Sequence, residues 1–437
     1  MLRSNPSLRR LLAAWVQSCV GTGVGYVALL LLTIRYLHTS WAISAVLLAD
    51  FLPAIALGAW FGVCADRYSK RTLIVTANLL QAAAWAGLTV AHTAVPILTL
   101  ALLAGTGNAM LRPAMRSALP LVAGDASQVA IAWYDTCRWV GITAGPLLAA
   151  GLFALSGVAL PLALNALSFL IAAAVMATVA IVAPARGHVH EEAAGSGLRA
   201  GLAVAFAAPG IAAVVACSAG SLIAGGLLNV CEPLLATKVL HGSGSDYALL
   251  VASYGAGMVT ASALVARRGS APAGLLIRRY LAALTLTAVG MGGSAIVGSI
   301  LPATVAFAAT GYANALLLVS QTQLIQLRVP SLVQGRLFGA KDTVEGACFL
   351  IGLLGAGGLV AAAGVRFTLA TGAGICALCA LAAVAALRTR TPERAPAAGA
   401  GASVGPGVEP RAVASTLPGA RNQRHDAPPW FRQRRTS

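Results

Sequence analysis

The sequence is a succession of apolar stretches separated by short polar segments, and each stretch has the roughly twenty residues that an α-helix needs to cross a bilayer. Of the 437 residues, 58% are hydrophobic and 10% are charged, whereas soluble proteins carry about 25% charged residues. Membrane β-barrels alternate apolar and polar residues along strands of about ten residues, and this sequence stays apolar for much longer. We therefore predict an all-α membrane protein.

Twelve apolar stretches are long enough to span a membrane. They lie near 11–33, 42–65, 72–91, 96–115, 128–155 and 159–183, and then near 209–236, 246–266, 281–300, 302–326, 338–362 and 367–387. The first stretch exceeds the core of a signal peptide and lacks a small-residue cleavage site, so we interpret it as a retained helix. The even number places both termini on the same side.

The polar segments divide the chain into five parts. These are a cytoplasmic N-terminus at 1–10, an N-terminal six-helix bundle at 11–183, a cytoplasmic linker with a short interfacial helix at 184–208, a C-terminal six-helix bundle at 209–387 and a disordered basic cytoplasmic tail at 388–437. The tail is rich in Pro, Ala, Gly and Arg, so it has too little apolar surface to fold.

The positions of the basic residues predict the orientation. A net charge of +17 alone would suit nucleic-acid binding, but nine of the thirty Lys and Arg residues lie in the tail and most others lie between apolar stretches. Outside the tail, seventeen fall on the side of the N-terminus and three on the other, so the positive-inside rule places both termini in the cytoplasm. The 27 Arg against three Lys indicate a GC-rich bacterial gene, and we expect the plasma membrane of a bacterium.

The two sets of helices contain an internal repeat. The matching segments are Gly105–Leu111 with Gly311–Leu317, offset by 206 residues, and Gly145–Leu152 with Gly352–Leu359, offset by 207. Asn108 and Asn314 hold the same position in the first pair. Two matches in order at nearly one offset predict two six-helix halves of the same architecture, with the substrate bound between them near the middle of the membrane.

A charged motif follows the second apolar stretch. The loop reads Gly62-Val-Cys-Ala-Asp66-Arg67-Tyr-Ser69-Lys70-Arg71. It resembles the signature G-x-x-x-D-R-x-G-R-R of the major facilitator superfamily, with Ser for the second Gly and Lys for one Arg. The resemblance implies a cytoplasmic latch that closes against the start of helix 11 in one conformation. The implied latch partners are Arg336, Asp342 and Glu345. The alternative is that these charges only set the topology.

Helix 5 carries a second motif of that superfamily. Gly141, Gly145 and Pro146 are arranged as in g-x-x-x-G-P-x-x-G-G, the antiporter motif of its exporters, with Ala in place of both final glycines. The resemblance implies export in exchange for protons. The alternative is close helix packing alone, because small residues spaced by four are common at membrane helix contacts.

The resemblance extends over about residues 10–387. The segments 197–201 and 328–336 look like the branch that contains siderophore and macrolide exporters. Exporters of this type often carry an Arg in helix 4, and this chain has Ala101 at that place.

Four ionisable side chains are candidates for a position inside the bilayer, where a charge at mid-membrane costs about 2.5–3.5 kcal/mol on insertion scales. They are Asp50, Asp135, Arg138 and Glu232. We predict that at least one of the three carboxylates exchanges a proton during transport, since burial disfavours a charged group. The alternatives are a structural ion pair between Asp135 and Arg138, which are three residues apart on one helical face, and an Asp50 that reaches the interface or bonds to the backbone.

Other candidate sites are weak. His188-Val-His190-Glu191-Glu192 contains metal-ligand types but lies in the linker without further fixed partners, so we predict no metal site. Cys376-x-x-Cys379 lies within an apolar helix, and we expect buried thiols and not a redox pair. The sequence has no Walker-type loop, so we expect neither ATP nor another cofactor, with the proton gradient as the energy source.

These features predict an all-α major facilitator fold of twelve transmembrane helices in two pseudo-symmetric six-helix bundles. The predicted function is proton-coupled export of small amphiphilic molecules (a drug, antibiotic, siderophore or metabolite) by alternating access. We expect a monomer whose partners are the lipid bilayer and a small-molecule substrate, without nucleic acid. The alternatives are an importer or facilitator on the same fold and a non-transporting scaffold or sensor. We do not expect an enzyme, because no catalytic constellation has credible spacing.

Overall fold

The computed structural model describes residues 5–39, 41–124, 127–179, 181, 202–206, 210–268, 271–329 and 331–388. In this part of the chain the residues form helices joined by short turns, without β-strands. Eight of these helices are long and apolar enough to span a membrane by length and composition alone. The prediction of an all-α membrane protein is confirmed.

The N-terminal half, within the described residues, contains seven helices. They are α1 (Pro6–Tyr36), α2 (Trp41–Ala56), α3 (Gly58–Arg67), α4 (Lys70–Leu88), α5 (Ala94–Ala123), α6 (Ser127–Ser156) and α7 (Ala159–Thr178). Asn5 caps α1, because its side chain accepts a hydrogen bond of 3.0 Å from the Leu8 amide. Helices α2 and α3 form one crossing, interrupted at Leu57, four residues after Pro53.

From residue 210 on, the described residues form five further helices. They are α8 (Ile211–Leu234), continued by a π-helical turn (Leu235–Val239), then α9 (Gly244–Arg268), α10 (Ala273–Ile296), α11 (Ile300–Arg328) and α12 (Ser331–Arg388). The π turn follows Pro233, whose missing N–H removes a helical hydrogen bond. Helix α12 reverses at Gly364, where φ is +84°, a conformation that glycine adopts without strain. Its two arms are therefore separate crossings.

The helix ends collect at two ends of the bundle. One end, which we call the basic end, contains residues 5 and 388 and the turns at 67–70, 123–127, 268–273 and 328–331. The opposite end has the turns at 36–41, 88–94, 156–159, 239–244 and 296–300. At the basic end Arg71 donates a hydrogen bond to the Ala177 carbonyl. At the opposite end Arg366 donates to the Ala295 and Val297 carbonyls, at 3.1 and 2.9 Å.

The segments that repeat in the sequence also make equivalent helix–helix contacts in the two halves. Gly105 of α5 packs directly on the backbone carbonyl of Asp50 in α2, and Gly311 of α11 packs in the same way on the carbonyl of Tyr254 in α9. A side chain at either glycine would overlap the neighbouring backbone. The two matched segments thus make the same helix contact in each half.

The second matched pair behaves in the same way. A Cβ atom added at Gly145 of α6 would lie 2.6 Å from the Cα atom of Gly23 in α1. A Cβ atom added at Gly352 of α12 would lie 3.0 Å from the Cα atom of Gly226 in α8. The predicted pseudo-symmetry of two bundles is confirmed, and small residues set the closest helix approaches within both.

The apolar cores are separate at the basic end and joined at the opposite end. At the basic end one buried cluster contains only residues from 8 to 181, and two others contain only residues from 204 to 387. At the opposite end, Leu31 and Leu47 of the N-terminal half share one cluster with Leu227 and Tyr247 of the C-terminal half. The halves are thus held together mainly at the opposite end.

The major facilitator signature is mostly helical, although we predicted a loop. Residues 62–67 form the second half of α3, and only Tyr68 and Ser69 connect it to α4. The Ser69 hydroxyl accepts a hydrogen bond from the Thr72 amide at the start of α4. Serine is a good N-cap residue, and this accounts for Ser at a position where the signature has Gly.

The ninth crossing lies nearer the basic end than predicted. We predicted residues 281–300, and the structure has α10 at Ala273–Ile296. The prediction was wrong because Arg278 and Arg279 were assigned to a loop on the basis of their charge. Both lie in the first turns of α10, beside the buried Leu276 and Tyr280. Long basic side chains can stay within a helix while their charge reaches toward the bilayer surface.

Most of the linker and nearly all of the tail lie outside the described residues. Within the predicted linker, residues 202–206 are helical. Ala205 is buried there and packs in one cluster with Ile211 and Val215 of α8 and Ile325 of α11. This helical stretch therefore belongs to the core of the C-terminal half.

We predict that Gly145→Ala lowers the unfolding free energy by about 1–3 kcal/mol, because the added methyl group overpacks the contact with Gly23. Thermal unfolding in detergent, followed by tryptophan fluorescence, would measure the change. Gly151→Ala on the same helix is the matched control, because no atom lies within 4 Å of its added Cβ. Equal effects of the two substitutions would contradict the close helix contact.

Candidate functional site

A cavity of about 360 Å³ lies between the two halves near the middle of the bundle. The helices α1, α2, α4, α5, α6 and α7 supply most of its wall, and α8 and α9 supply the rest. Its polar and aromatic lining residues are Trp15, Ser18, Thr22, Tyr26, Asp50, Phe51, Gln81, Trp85, Asn108, Arg112, Arg138, Phe169, Asn229, Glu232 and Tyr254. The cavity thus combines apolar surface with four ionisable side chains in a largely apolar protein.

Asp50 and Glu232, two of the carboxylates singled out from the sequence, both line the cavity. Asp50 lies in α2, three residues before Pro53, and Glu232 lies in α8, immediately before Pro233. Glu232 is only 8% exposed. Within the described residues no hydrogen bond or ion pair of either carboxylate is found. A carboxylate in such a place is costly unless it meets a cation or a proton.

A hydrogen bond joins the two halves beside Glu232. The Tyr26 hydroxyl of α1 donates to Oδ1 of Asn229 in α8, at 2.8 Å. Tyr26 follows Gly23 by three residues, and Asn229 follows Gly226 by three, so the two side chains occupy equivalent positions of the repeat. The bond therefore lies close to the axis that relates the halves.

Two arginines also line the cavity. Arg112, near the end of the stretch predicted at 96–115, lies within α5, four residues after Asn108, with an exposed side chain. Helix α5 continues beyond the predicted stretch to Ala123. Arg138 of α6 lines the cavity and has an interaction partner. The side chain of Asp135 lies outside the described part of the structure.

The two asparagines of the repeat are in different environments. Asn108 faces the cavity, whereas Asn314 lies behind it and donates a hydrogen bond of 2.7 Å from Nδ2 to the Tyr254 hydroxyl. Tyr254 itself lines the cavity. Equivalent residues in sequence thus contribute differently to the site.

The implied latch partners on α12 bond within their own half. Lys341 forms ion pairs with Glu345 at 2.8 Å and with Asp342 at 3.1 Å. Gln321 donates a further hydrogen bond of 2.8 Å to Glu345. Arg71 of the signature bonds to the end of α7 instead. The side chains of Asp66 and Arg336 lie outside the described part, so the latch stays a prediction.

The antiporter motif lies at the cavity wall. Gly141 and Gly145 press α6 against the backbone of α1 at Cys19 and Gly23, and Pro146 lines the cavity. The close contact brings the Arg138 side of α6 next to α1. The motif therefore shapes the cavity as well as packing the helices.

Sequence reasoning missed several polar lining residues. Gln81 and Asn229 are polar amides inside apolar stretches, and this signal could have marked them as candidates. Trp15, Tyr26 and Trp85 carry no such signal, because aromatic residues are common throughout membrane helices. Their placement depends on how the helices rotate about their axes.

The described residues contain no group of three or more His, Cys, Asp or Glu side chains that could hold a metal ion. The His188–Glu192 segment, which we considered as a weak metal candidate, lies outside the described residues.

Comparison with known proteins identifies the family. The profile of the family MFS_3, described as transmembrane secretion effector, matches residues 3–408. No curated protein sequence matches the chain significantly.

Solved structures show the same fold at low sequence identity. A bacterial homologue of the human lysosomal transporter Spinster, in an inward-facing and occupied conformation, is 15% identical with a TM-score of 0.65, covering 87% of this chain and 96% of that one. The nucleoside transporter NupG is 14% identical with a TM-score of 0.65, covering 88% and 99%. The POT family transporter PepTSo is 13% identical with a TM-score of 0.65, covering 89% and 99%.

We predict an interaction energy of about 0.5–1.5 kcal/mol between Tyr26 and Asn229 in a double-mutant cycle on unfolding, because their hydrogen bond joins the halves. The variants are Tyr26→Phe, Asn229→Ala and the double variant, and the measurement is unfolding in detergent. The control cycle combines Tyr312→Phe with Asn229→Ala, because the Tyr312 hydroxyl has no hydrogen bond to the described residues. Additive effects in both cycles would contradict the bond.

Proposed function

Since the chain belongs to the transmembrane secretion effector family of major facilitator transporters, we propose that it is a proton-coupled exporter of small amphiphilic molecules. The chain is a multi-pass membrane transporter and not an enzyme. The proposal concerns the substrate class, the direction of transport and its coupling to protons. The molecules carried would be drugs, antibiotics, siderophores or metabolites.

The observation that carries the proposal is a pair of carboxylates, Asp50 and Glu232, in the cavity between the halves. A charged carboxylate in an apolar site is unfavourable, so binding of a proton there competes with binding of a cation or a polar substrate. This competition is the basis of exchange: arrival of one ligand favours release of the other. Asp135 is the third candidate for the same role.

The packing of the two halves supports alternating access. The shared core closes the cavity toward the opposite end, while each half keeps its own core at the basic end. The exposed Arg112 lies on the basic-end side of the cavity. If the basic end is cytoplasmic, as its charge indicates, this conformation takes substrate from the cytoplasm, which suits an exporter.

The family description supports outward transport, since it names secretion. The antiporter motif at Gly141, Gly145 and Pro146 supports the same direction. We further propose that the chain acts as a monomer in a bacterial plasma membrane, with both termini in the cytoplasm. Its energy would come from the proton gradient, without ATP or another cofactor.

The branch of siderophore and macrolide exporters is the finer assignment that we propose within this family. It depends on the segments at 197–201 and 328–336. The first lies outside the described residues, and the second joins the end of α11 to the start of α12.

We predict that at least one of Asp50→Asn, Asp135→Asn and Glu232→Gln lowers proton-driven accumulation in inverted membrane vesicles at least about tenfold, because an amide cannot exchange a proton. The probes are ethidium and anilinonaphthalene sulfonate, one cationic and one anionic amphiphile, and a trapped pH indicator reports proton flow. Asp246→Asn is the control, because Asp246 lies at the opposite end and bonds to Ser243. Unchanged proton-coupled transport in all three amide variants would contradict the proposed proton exchange.

The direction and the scaffold alternative need separate measurements. Accumulation in right-side-out vesicles, driven by an acidic exterior, would show an importer instead. We predict that deletion of residues 389–437 leaves transport within about twofold of the full chain, because the last described transmembrane helix ends at Arg388. Loss of function without loss of insertion would instead indicate that the tail recruits a partner.

A further inference from the structure

We propose that the polar group of the substrate binds in the N-terminal half alone, between Asp50 and Asn108, and that this subsite takes a protonated amine attached to an apolar body. The inference rests on the proposed transport function for its physiological meaning, but the binding step can be tested without transport.

The repeat defines which residues of the two halves correspond. Gly105 packs on the backbone of Asp50, and Gly311 packs on the backbone of Tyr254. These contacts make Asp50 the structural counterpart of Tyr254. The asparagines follow these glycines by three residues in both halves, so each lies one helical turn further toward the basic end on the same face.

In the C-terminal half this position is closed by the protein itself. The Tyr254 hydroxyl accepts a hydrogen bond of 2.7 Å from the Asn314 amide. The side chain of Tyr254 spans the gap between α9 and α11 and accepts one of the two amide N–H donors of Asn314. Tyr254 lines the cavity, and Asn314 is not among the lining residues.

In the N-terminal half the same position is open. An aspartate is shorter than a tyrosine by about the length of the aromatic ring, so Asp50 leaves space where Tyr254 reaches its asparagine. Both Asp50 and Asn108 line the cavity, and neither has a hydrogen-bond partner within the described residues. The carboxylate of Asp50 and the amide of Asn108 thus face a common cavity, and no described residue forms a hydrogen bond with either.

The chemistry of the surroundings selects the group that fits. An ammonium group has three N–H donors and no acceptor, so it can bond to the carboxylate of Asp50 and to Oδ1 of Asn108 at once. Phe51 and Trp85 line the adjoining wall, and aromatic faces attract cations and cover apolar carbon. A carboxylate ligand would be repelled by Asp50.

Arg112 is a nearby group that favours an anionic ligand. It lies one turn beyond Asn108 on α5, toward the basic end. An anionic substrate held by Arg112 is therefore the competing outcome that the experiment must exclude.

The test compares two fluorescent probes that share a dansyl group and differ in charge, dansylcadaverine and dansyl-6-aminohexanoate. Binding is measured by fluorescence titration of the purified chain in lipid nanodiscs, without a proton gradient. We expect the amine to bind the unsubstituted protein at least about fivefold more tightly than the carboxylate. We expect Asp50→Asn to weaken amine binding at least about tenfold, because it removes a charge-assisted hydrogen bond.

The repeat supplies the matched pair of variants. We expect Asn108→Ala to weaken amine binding about fivefold or more, and Asn314→Ala to change it by less than about twofold. If Asn108→Ala lowers the melting temperature too far to use, Asn108→Asp is the second variant, and it should retain or raise amine affinity. Equal losses at Asn108 and Asn314, or tighter binding of the carboxylate probe, would overturn the proposed subsite.

The outcome is separable from the proposed function. If Asp50→Asn abolishes proton-driven transport while amine binding is unchanged, the subsite fails and the transport proposal stands. If amine binding follows the expected pattern but no gradient-driven accumulation occurs in vesicles, the transport proposal fails and the subsite stands.

Discussion

Lipid cannot hydrogen-bond to a polar group or solvate a charge, and this constraint shapes both the fold and the site. Each backbone amide in the bilayer must bond within its own helix, so the described chain is helical almost throughout. Polar side chains follow the same rule. Thr33 and Ser294 are buried and bond back to carbonyls four residues earlier. Against that background, carboxylates without a protein partner mark the place where a ligand or a proton must complete the structure.

The two halves show how a repeated fold becomes asymmetric. The glycine contacts are the same in both halves, because any side chain there would separate the helices. The side chains beside those contacts are free to differ. Asp50 corresponds to Tyr254, so the N-terminal half presents a charge where the C-terminal half has a tyrosine bonded to Asn314. Tyr26 corresponds to Asn229, and these two side chains bond to each other across the halves. The same backbone contacts thus carry different polar groups in the two halves.

The sequence predicted the parts of this structure that depend on the length and pattern of apolar stretches. The crossings, the halves and the glycine pairs followed from it, because each is encoded locally or by a constant offset. The errors came from charge. Arg278 and Arg279 were assigned to a loop, although a long basic side chain can occupy a helix near the bilayer surface. The bond between Tyr26 and Asn229 could not be predicted, because α1 and α8 show no visible sequence match and pair only through their packing.

The position of that bond bears on how the halves can move. When two bodies rotate about a common axis, atoms near the axis move least and atoms far from it move most. The Tyr26–Asn229 bond joins equivalent positions and so lies near the axis. Contacts further out, such as Trp41 against Gly357 and Gly358, and Ser245 bonded to Ala150, join the halves at the opposite end. Rotation that opens this end must break the outer contacts, while the central bond can persist beside the carboxylates in both conformations. Alternating access of the kind proposed above would then change which end is open without separating Tyr26 from Asn229.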